Sequence, residues 1–325
     1  MNPEISPGVF LRSRRRSAFR PLAHFLSLGL LAVAGPGRAE VLVVPMARYE
    51  QYALDGREIY RPTVGLELAS ADRESGRLSA TYSLHRLGGD RAEPDLFHAI
   101  DLSASSKNGR HQVLGLFRSE SDEPVVGGLQ TFVLGAGYTY DLFRSERSIL
   151  SLGAGLATGG LGLELPDGTD LRILPVPLVQ YRLKTDFVDI AFSCIAGPDF
   201  AVSGPRRGRV RLDGYLGFRR LRDARDLDFD LSASYRFFAA DDPGGDVAGV
   251  SAGFRNASWH FQPAKGSSQD LTCYTPYLGL DFSFVRITGG AALAGLERRG
   301  ASERRNLGDG SFLSVQARLP LGAAP

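Results

Sequence analysis

From Asp226 to Phe238 the chain reads DLDFDLSASYRFF. Leu227, Phe229, Leu231, Ala233, Tyr235 and Phe237 take every second place, and Asp228, Asp230, Ser232, Ser234 and Arg236 fall between them. Successive side chains of a strand point to opposite faces, so a period of two describes a strand with one apolar and one polar face. The pattern recurs along the chain. Val64, Leu66 and Leu68 alternate with Gly65, Glu67 and Ala69, and Leu78, Ala80, Tyr82 and Leu84 alternate with Ser79, Thr81, Ser83 and His85. Val210, Leu212, Leu216 and Phe218 oppose Arg211, Asp213, Tyr215 and Arg219, and Leu278, Leu280 and Phe282 oppose Gly279, Asp281 and Ser283. Near the end, Leu313, Val315, Ala317 and Leu319 oppose Ser314, Gln316 and Arg318. No segment after the first 39 residues sustains a helical period, so the chain is all-β.

The beginning of the chain is different. Arg12, Arg14, Arg15, Arg16 and Arg20 precede the apolar stretch PLAHFLSLGLLAVAG, and Gly37 and Ala39 are small residues at a cleavage spacing. A basic region, a short apolar region and such a site describe a secretory signal over 1–39, leaving 40–325 as the mature domain. His24, Ser27 and Gly35-Pro36 interrupt the stretch before it reaches the roughly 18 apolar residues of a spanning helix. No cysteine stands at the cut, which argues against a lipid-anchored protein.

The connections narrow the architecture. Short polar turns such as Arg144-Ser145-Glu146-Arg147 and Arg222-Asp223-Ala224-Arg225 alternate with longer stretches: LGGDRAEPD, SESDEPVVGG, LPDGTDLRILP, GPDFAVSGPRR and AADDPGGD. An up-and-down barrel with tight turns at one end and long loops at the other produces that rhythm. Strand segments of about 9 to 14 residues also suit a tilted membrane crossing, which takes about 9 to 11. Tyr60, Tyr82, Tyr140, Tyr181, Tyr235 and Tyr277 fall toward segment ends, where a girdle would stand. Signal, alternation and loop rhythm together resemble a bacterial outer-membrane β-barrel protein of porin-like type across the whole mature chain. The resemblance implies a transmembrane up-and-down antiparallel barrel of about 14 strands, within a range of about 12 to 16. VLVVPMARYEQYA and SWHFQ carry the weakest strand alternation. The chain departs from such barrels in ending RLPLGAAP, without a closing aromatic residue.

A membrane barrel turns its apolar face to lipid, so the polar face becomes the lumen. Candidate lumen residues are Arg211, Asp213 and Arg219, then Asp228, Asp230, Ser232, Ser234 and Arg236 on the next strand, with Asp281 and Arg318 nearer the end. About 8 strands is where side chains alone fill a barrel, so the expected width favours a pore. The leading expectation is an outer-membrane channel passing small polar solutes or ions passively, with lipid and the outer-membrane assembly machinery as partners. A structural or adhesive barrel acting through its loops is the second reading, and an outer-membrane lipid hydrolase the third. A net charge of only +2 gives no footprint for nucleic-acid binding.

The residues offer little chemistry. His85, His98, His111 and His260 have no partner at metal-ligand spacing, and no cofactor is implied. Outer-membrane phospholipases and lipid A deacylases resemble the chain in architecture, and several use a His-x-Ser pair on one strand face, whereas here only the reversed pair Ser83 and His85 occurs. Asp241, Asp242 and Asp246, and Asp167 with Asp170, are loop carboxylates outside any calcium register. Gly153 and Gly155 lie in a strand pattern and read as bends that help a barrel close. Cys194 and Cys273 are the only cysteines and form the one candidate disulfide. Cys194, however, is also in phase with the apolar residues Val188, Ile190 and Phe192.

Overall fold

A computed structural model describes residues 41–70, 76–89, 95–124, 131–159, 173–194, 198–205, 208–218, 227–237, 248–300, 303–319 and 321. The proposed signal over 1–39 lies outside them. The first strands are β1 (Val41–Leu54), β2 (Arg57–Ser70), β3 (Gly76–Gly88), β4 (Leu96–Asn108) and β5 (His111–Ser121). They are followed by β6 (Phe132–Arg144), β7 (Ser148–Gly159), β8 (Ile173–Lys184), β9 (Asp189–Cys194), β10 (Pro198–Gly204) and β11 (Val210–Phe218). The last five are β12 (Leu227–Arg236), β13 (Ala248–Phe261), β14 (Gln269–Phe282), β15 (Val285–Arg299) and β16 (Glu303–Arg318).

Each strand pairs antiparallel with its sequence neighbours, and β1 pairs with β16 from Met46 opposite Arg318 to Leu54 opposite Gly310. That pairing closes the barrel and leaves no free edge. At its end the backbones come close: a Cβ on Gly310 would stand 1.7 Å from the carbonyl oxygen of Ala53, so only glycine fits.

The order β1 to β16 corrects the expected strand count upward. VLVVPMARYEQYA is β1 with the hydrogen-bonded ladder of a full strand, and SWHFQ is the end of β13. A further strand, β10, lies inside the stretch GPDFAVSGPRR, which reads as a loop because glycine and proline bound it on both sides. Phe200 nevertheless pairs with Phe192 and Leu216. The added strand also ends the alternation of turns. From β2 to β9 the short connections fall at the end where β1 starts and β16 finishes, here called the terminal end, whereas the two-residue connection 55–56 between β1 and β2 falls at the far end. After β10 the rhythm is mixed: the long connection 237–247 falls at the terminal end, while the two-residue turn 283–284 falls there as well and 219–226 and 262–268 fall at the far end.

The apolar face points outward. Val64 is 59% exposed, Leu212 57% and Leu278 71%, and large apolar residues on nearly every strand behave alike. Tyr60, Tyr82, Tyr181 and Tyr235 share that outer face, whereas Tyr277 corrects the girdle reading: it is buried, and its ring lies inside where a Cβ on Gly253 would collide with it.

The wall is uneven in height. β13 to β16 run for 14, 14, 15 and 16 residues, whereas β9 to β12 run for 6, 7, 9 and 10. A tilted crossing takes about 9 to 11 residues, so the long strands rise past the membrane. Their outer faces change character accordingly: at the far end Arg298 meets Asp270 at 3.7 Å, and Glu58 and Arg86 are exposed. Inside this tall side the far end holds an apolar core that includes Ile59, Leu87, Phe97, Trp259, Phe261, Leu271 and Leu307.

Candidate functional site

The inner wall differs from one side of the barrel to the other. On β14 every second residue from Gln269 to Gly279 is buried, while Tyr274, Leu278 and Leu280 on the other face are exposed. On β12 the inward residues Asp228, Asp230, Ser232, Ser234 and Arg236 are half-exposed. Only β13 separates the two strands. Space inside the barrel therefore borders β12 and its neighbour β11, where Tyr215 is 42% exposed although it points inward beside Gly217, and it extends to β4 and β5, where the inward pair Asp101 and Arg118 meets at 2.9 Å with both side chains about half exposed.

At the terminal end this space widens into a concavity of about 400 Å3. Its lining includes Arg211 and Asp213 from β11, Ser232, Ser234 and Arg236 from β12, Asp281 from β14 and Arg318 from β16. Strand alternation brings these residues together, because each stands on the face opposite an exposed leucine, valine, tyrosine or phenylalanine. Arg211 Nε donates to Asp213 Oδ1 at 2.9 Å, and Arg318 meets Glu67 of β2 at 3.1 Å. Glu67 also accepts from Arg77 at 3.2 Å. Arg286, absent from the sequence-derived set, contacts Asp281 at 3.1 Å and donates to Ser251. The two-residue turn Ser283-Phe284 sets that register and is visible in the sequence once β14 and β15 are read as a hairpin. The mouth thus carries Arg211, Arg236, Arg286 and Arg318 against Asp213 and Asp281.

Deeper on the tall side lies a charged layer that the sequence reading missed. Glu50 is buried and faces Arg48 at 2.5 Å, Arg255 at 3.2 Å and Arg61 at 3.5 Å. Arg255 also donates to the Tyr52 hydroxyl at 2.6 Å and lies over the Phe312 ring at 4.5 Å. Asp230, opposite Arg255 in register, accepts from Tyr277 at 2.8 Å. Above this layer comes the apolar core, and above that Glu297 accepts from Arg57 and Gln269, both at 2.7 Å. The width argument is therefore corrected on this side: long strands turned inward fill much of the lumen with their own side chains.

At the far end β13 reaches across. Gln262 N donates to the Glu120 carbonyl at 2.9 Å and Ala264 N to Asp122 Oδ1 at 2.8 Å, so the segment just after β13 meets the end of β5. On the opposite side of the barrel, Leu178 of β8 fills the space that glycine leaves: a Cβ on Gly137 would stand 2.4 Å from Leu178 Cδ1.

Arg219, the loop carboxylates from Asp167 to Asp170 and those from Asp241 to Asp246 lie outside the described residues. Cys194 and Cys273 are both free, which corrects the candidate disulfide. Cys194 pairs with Val179 on the outer face of β9, whereas Cys273 is buried in the interior core, so the wall itself stands between the thiols. Ser83 and His85 both point inward and are buried. The Ser83 hydroxyl is 2.8 Å from that of Thr63, and the His85 ring meets the edge of Phe261. Among the described residues no group of three His, Cys, Asp or Glu side chains gathers as a metal site.

A closed antiparallel barrel that is apolar outside and lined within by charged and hydroxyl groups along β11 and β12 is a membrane-spanning barrel of the outer-membrane type. No family model matches the chain, and no curated protein matches it. Among solved structures it is similar to CdiB from Acinetobacter baumannii, at a TM-score of 0.47 and 10% identity over 85% of this chain. The chain spans 60% of CdiB's length. It is also similar to a triple mutant of Rhodopseudomonas blastica porin, at a TM-score of 0.41 and 8% identity, over 86% of this chain and 100% of that one.

Proposed function

We propose that this protein is a porin-like channel of the outer membrane, exported through its first 39 residues and inserted by the outer-membrane assembly machinery. It passes small polar solutes or ions passively through a charged lumen. The observation that carries this reading is the half-exposed polar face of β12 running from Asp228 to Arg236 and ending in the charged mouth. A row of solvated carboxylates, hydroxyls and guanidinium groups inside an apolar shell is the arrangement that lowers the barrier for a polar solute crossing lipid. Incorporating the purified mature chain into planar bilayers tests it. Discrete conductance steps are expected, and folded, inserted protein that gives none overturns the reading.

The apolar core at the far end favours a second reading, a structural barrel whose loops bind a partner. In that case replacing the loop 122–131 abolishes function while neutral substitutions at the mouth leave it intact.

A further inference from the structure

We infer that the water path is off-axis, displaced from the filled tall side and bordered by β11 and β12, and that Tyr215 sets the size of solute that passes; this rests on the channel reading and specifies its route. Three observations carry it. First, alternate residues of β12 are half-exposed on the inner face, whereas those of β14 from Gln269 to Gly279 are buried. A central pore would wet both strands alike. Second, the tall side is closed by its own side chains, from Glu50 and Arg255 to Phe97 and Phe261, and the segment just after β13 is hydrogen-bonded to β5 across the far end. Third, Tyr215 points inward from the middle of β11, is 42% exposed, and stands opposite Asp230. It is the bulkiest inward side chain of β11: its inward neighbours are Asp213 and Gly217, the latter too small to narrow anything.

The test reads the route separately from transport. In a background of Cys194→Ser with Cys273→Ala, Ser232→Cys on β12 and Thr275→Cys on β14 are each exposed to a charged methanethiosulfonate in proteoliposomes. Thiol modification follows access, so Ser232→Cys is expected to react at least about tenfold faster than Thr275→Cys. Equal rates, or no reaction at Ser232→Cys, overturn the off-axis path. In bilayers Tyr215→Ala raises single-channel conductance and admits larger uncharged solutes, while Thr275→Val changes neither. An unchanged size limit in Tyr215→Ala overturns the role of Tyr215. If Tyr215→Ala does not insert, Tyr215→Ser and the bulkier Tyr215→Trp bracket the same effect in opposite directions. Selective labelling at Ser232→Cys without conductance in any variant removes the channel reading, and with it Tyr215's role, but leaves the water path. Conductance with equal labelling removes the path and leaves the channel.

Discussion

Phe261 at the end of β13 stacks on Phe97 at the start of β4, with centroids 4.4 Å apart and planes inclined by 24°, although the two strands stand almost opposite each other in the barrel. Such a contact requires the far end to be drawn together, and the hydrogen bond from Gln262 to Glu120 lies beside it. Trp259, the single tryptophan of the chain, sits two residues away, 3% exposed, with its ring edge-on to Tyr52.

That placement makes Trp259 a reporter of the core. Truncating a buried phenylalanine costs about 3 to 5 kcal/mol and leaves a cavity. Phe261→Ala is expected to lower the unfolding midpoint in urea, shift Trp259 emission to the red and increase its quenching by acrylamide, while circular dichroism stays that of a barrel. Unchanged quenching would place Trp259 in water already and dismiss the core.

Glu50 balances three guanidinium groups, Arg48, Arg61 and Arg255. Removing one partner of a buried ion pair costs about 3 to 5 kcal/mol because the remaining charge keeps its desolvation without its compensation. Glu50→Gln leaves three cations facing one another, whereas Arg255→Gln leaves the carboxylate with two. The glutamate substitution is therefore expected to destabilise more than the arginine one, with double-mutant coupling between them, measured as urea midpoints in one lipid. The reverse order would mean that Glu50 is not the centre of the cluster.

The strand faces were legible in sequence because a membrane barrel keeps a strict period of two: Leu212 and Leu231 are outside and Asp213 and Ser232 inside, as their alternation requires. What the sequence hid depends on length and tertiary contact. Glu50 and Arg255 occupy ordinary inward positions, and nothing local shows that residues 205 apart in the chain meet. Leu87 and Phe97 are apolar on an inward face, which in a uniform pore would be anomalous; that departure was the available signal for the core. β10 was obscured because Pro198 and Gly204 belong to the ladder itself, on a strand too short to establish a period.

The two cysteines occupy different solvents. Cys194 shares its face with Phe192 and Ile190, which pair with Phe200 and Val202, whereas Cys273 lies in the interior core at 1% exposure, out of reach of a reagent in the lipid. In proteoliposomes a lipid-soluble maleimide is expected to modify Cys194 well before Cys273. Reducing agent is expected to leave electrophoretic mobility unchanged. A mobility shift on reduction that is lost in Cys194→Ser would contradict the separation of the thiols by the wall.

The mouth offers the most direct control over passage. Its four arginines outnumber Asp213 and Asp281, and long-range fields act on an ion before it enters. Neutralising a carboxylate should enlarge the positive excess, and neutralising an arginine should reduce it. Asp281→Asn is therefore expected to move the reversal potential in a potassium chloride gradient toward anion preference, and Arg236→Gln toward cation preference. Asp281 also compensates Arg286 at 3.1 Å, so Asp281→Asn releases that guanidinium toward the space and should have the larger effect of the two. Because these groups border water, the shifts should shrink as salt rises and the screening length falls from about 10 Å at 0.1 M to about 3 Å at 1 M. Equal reversal potentials in both variants at low salt would mean that ions do not pass this mouth.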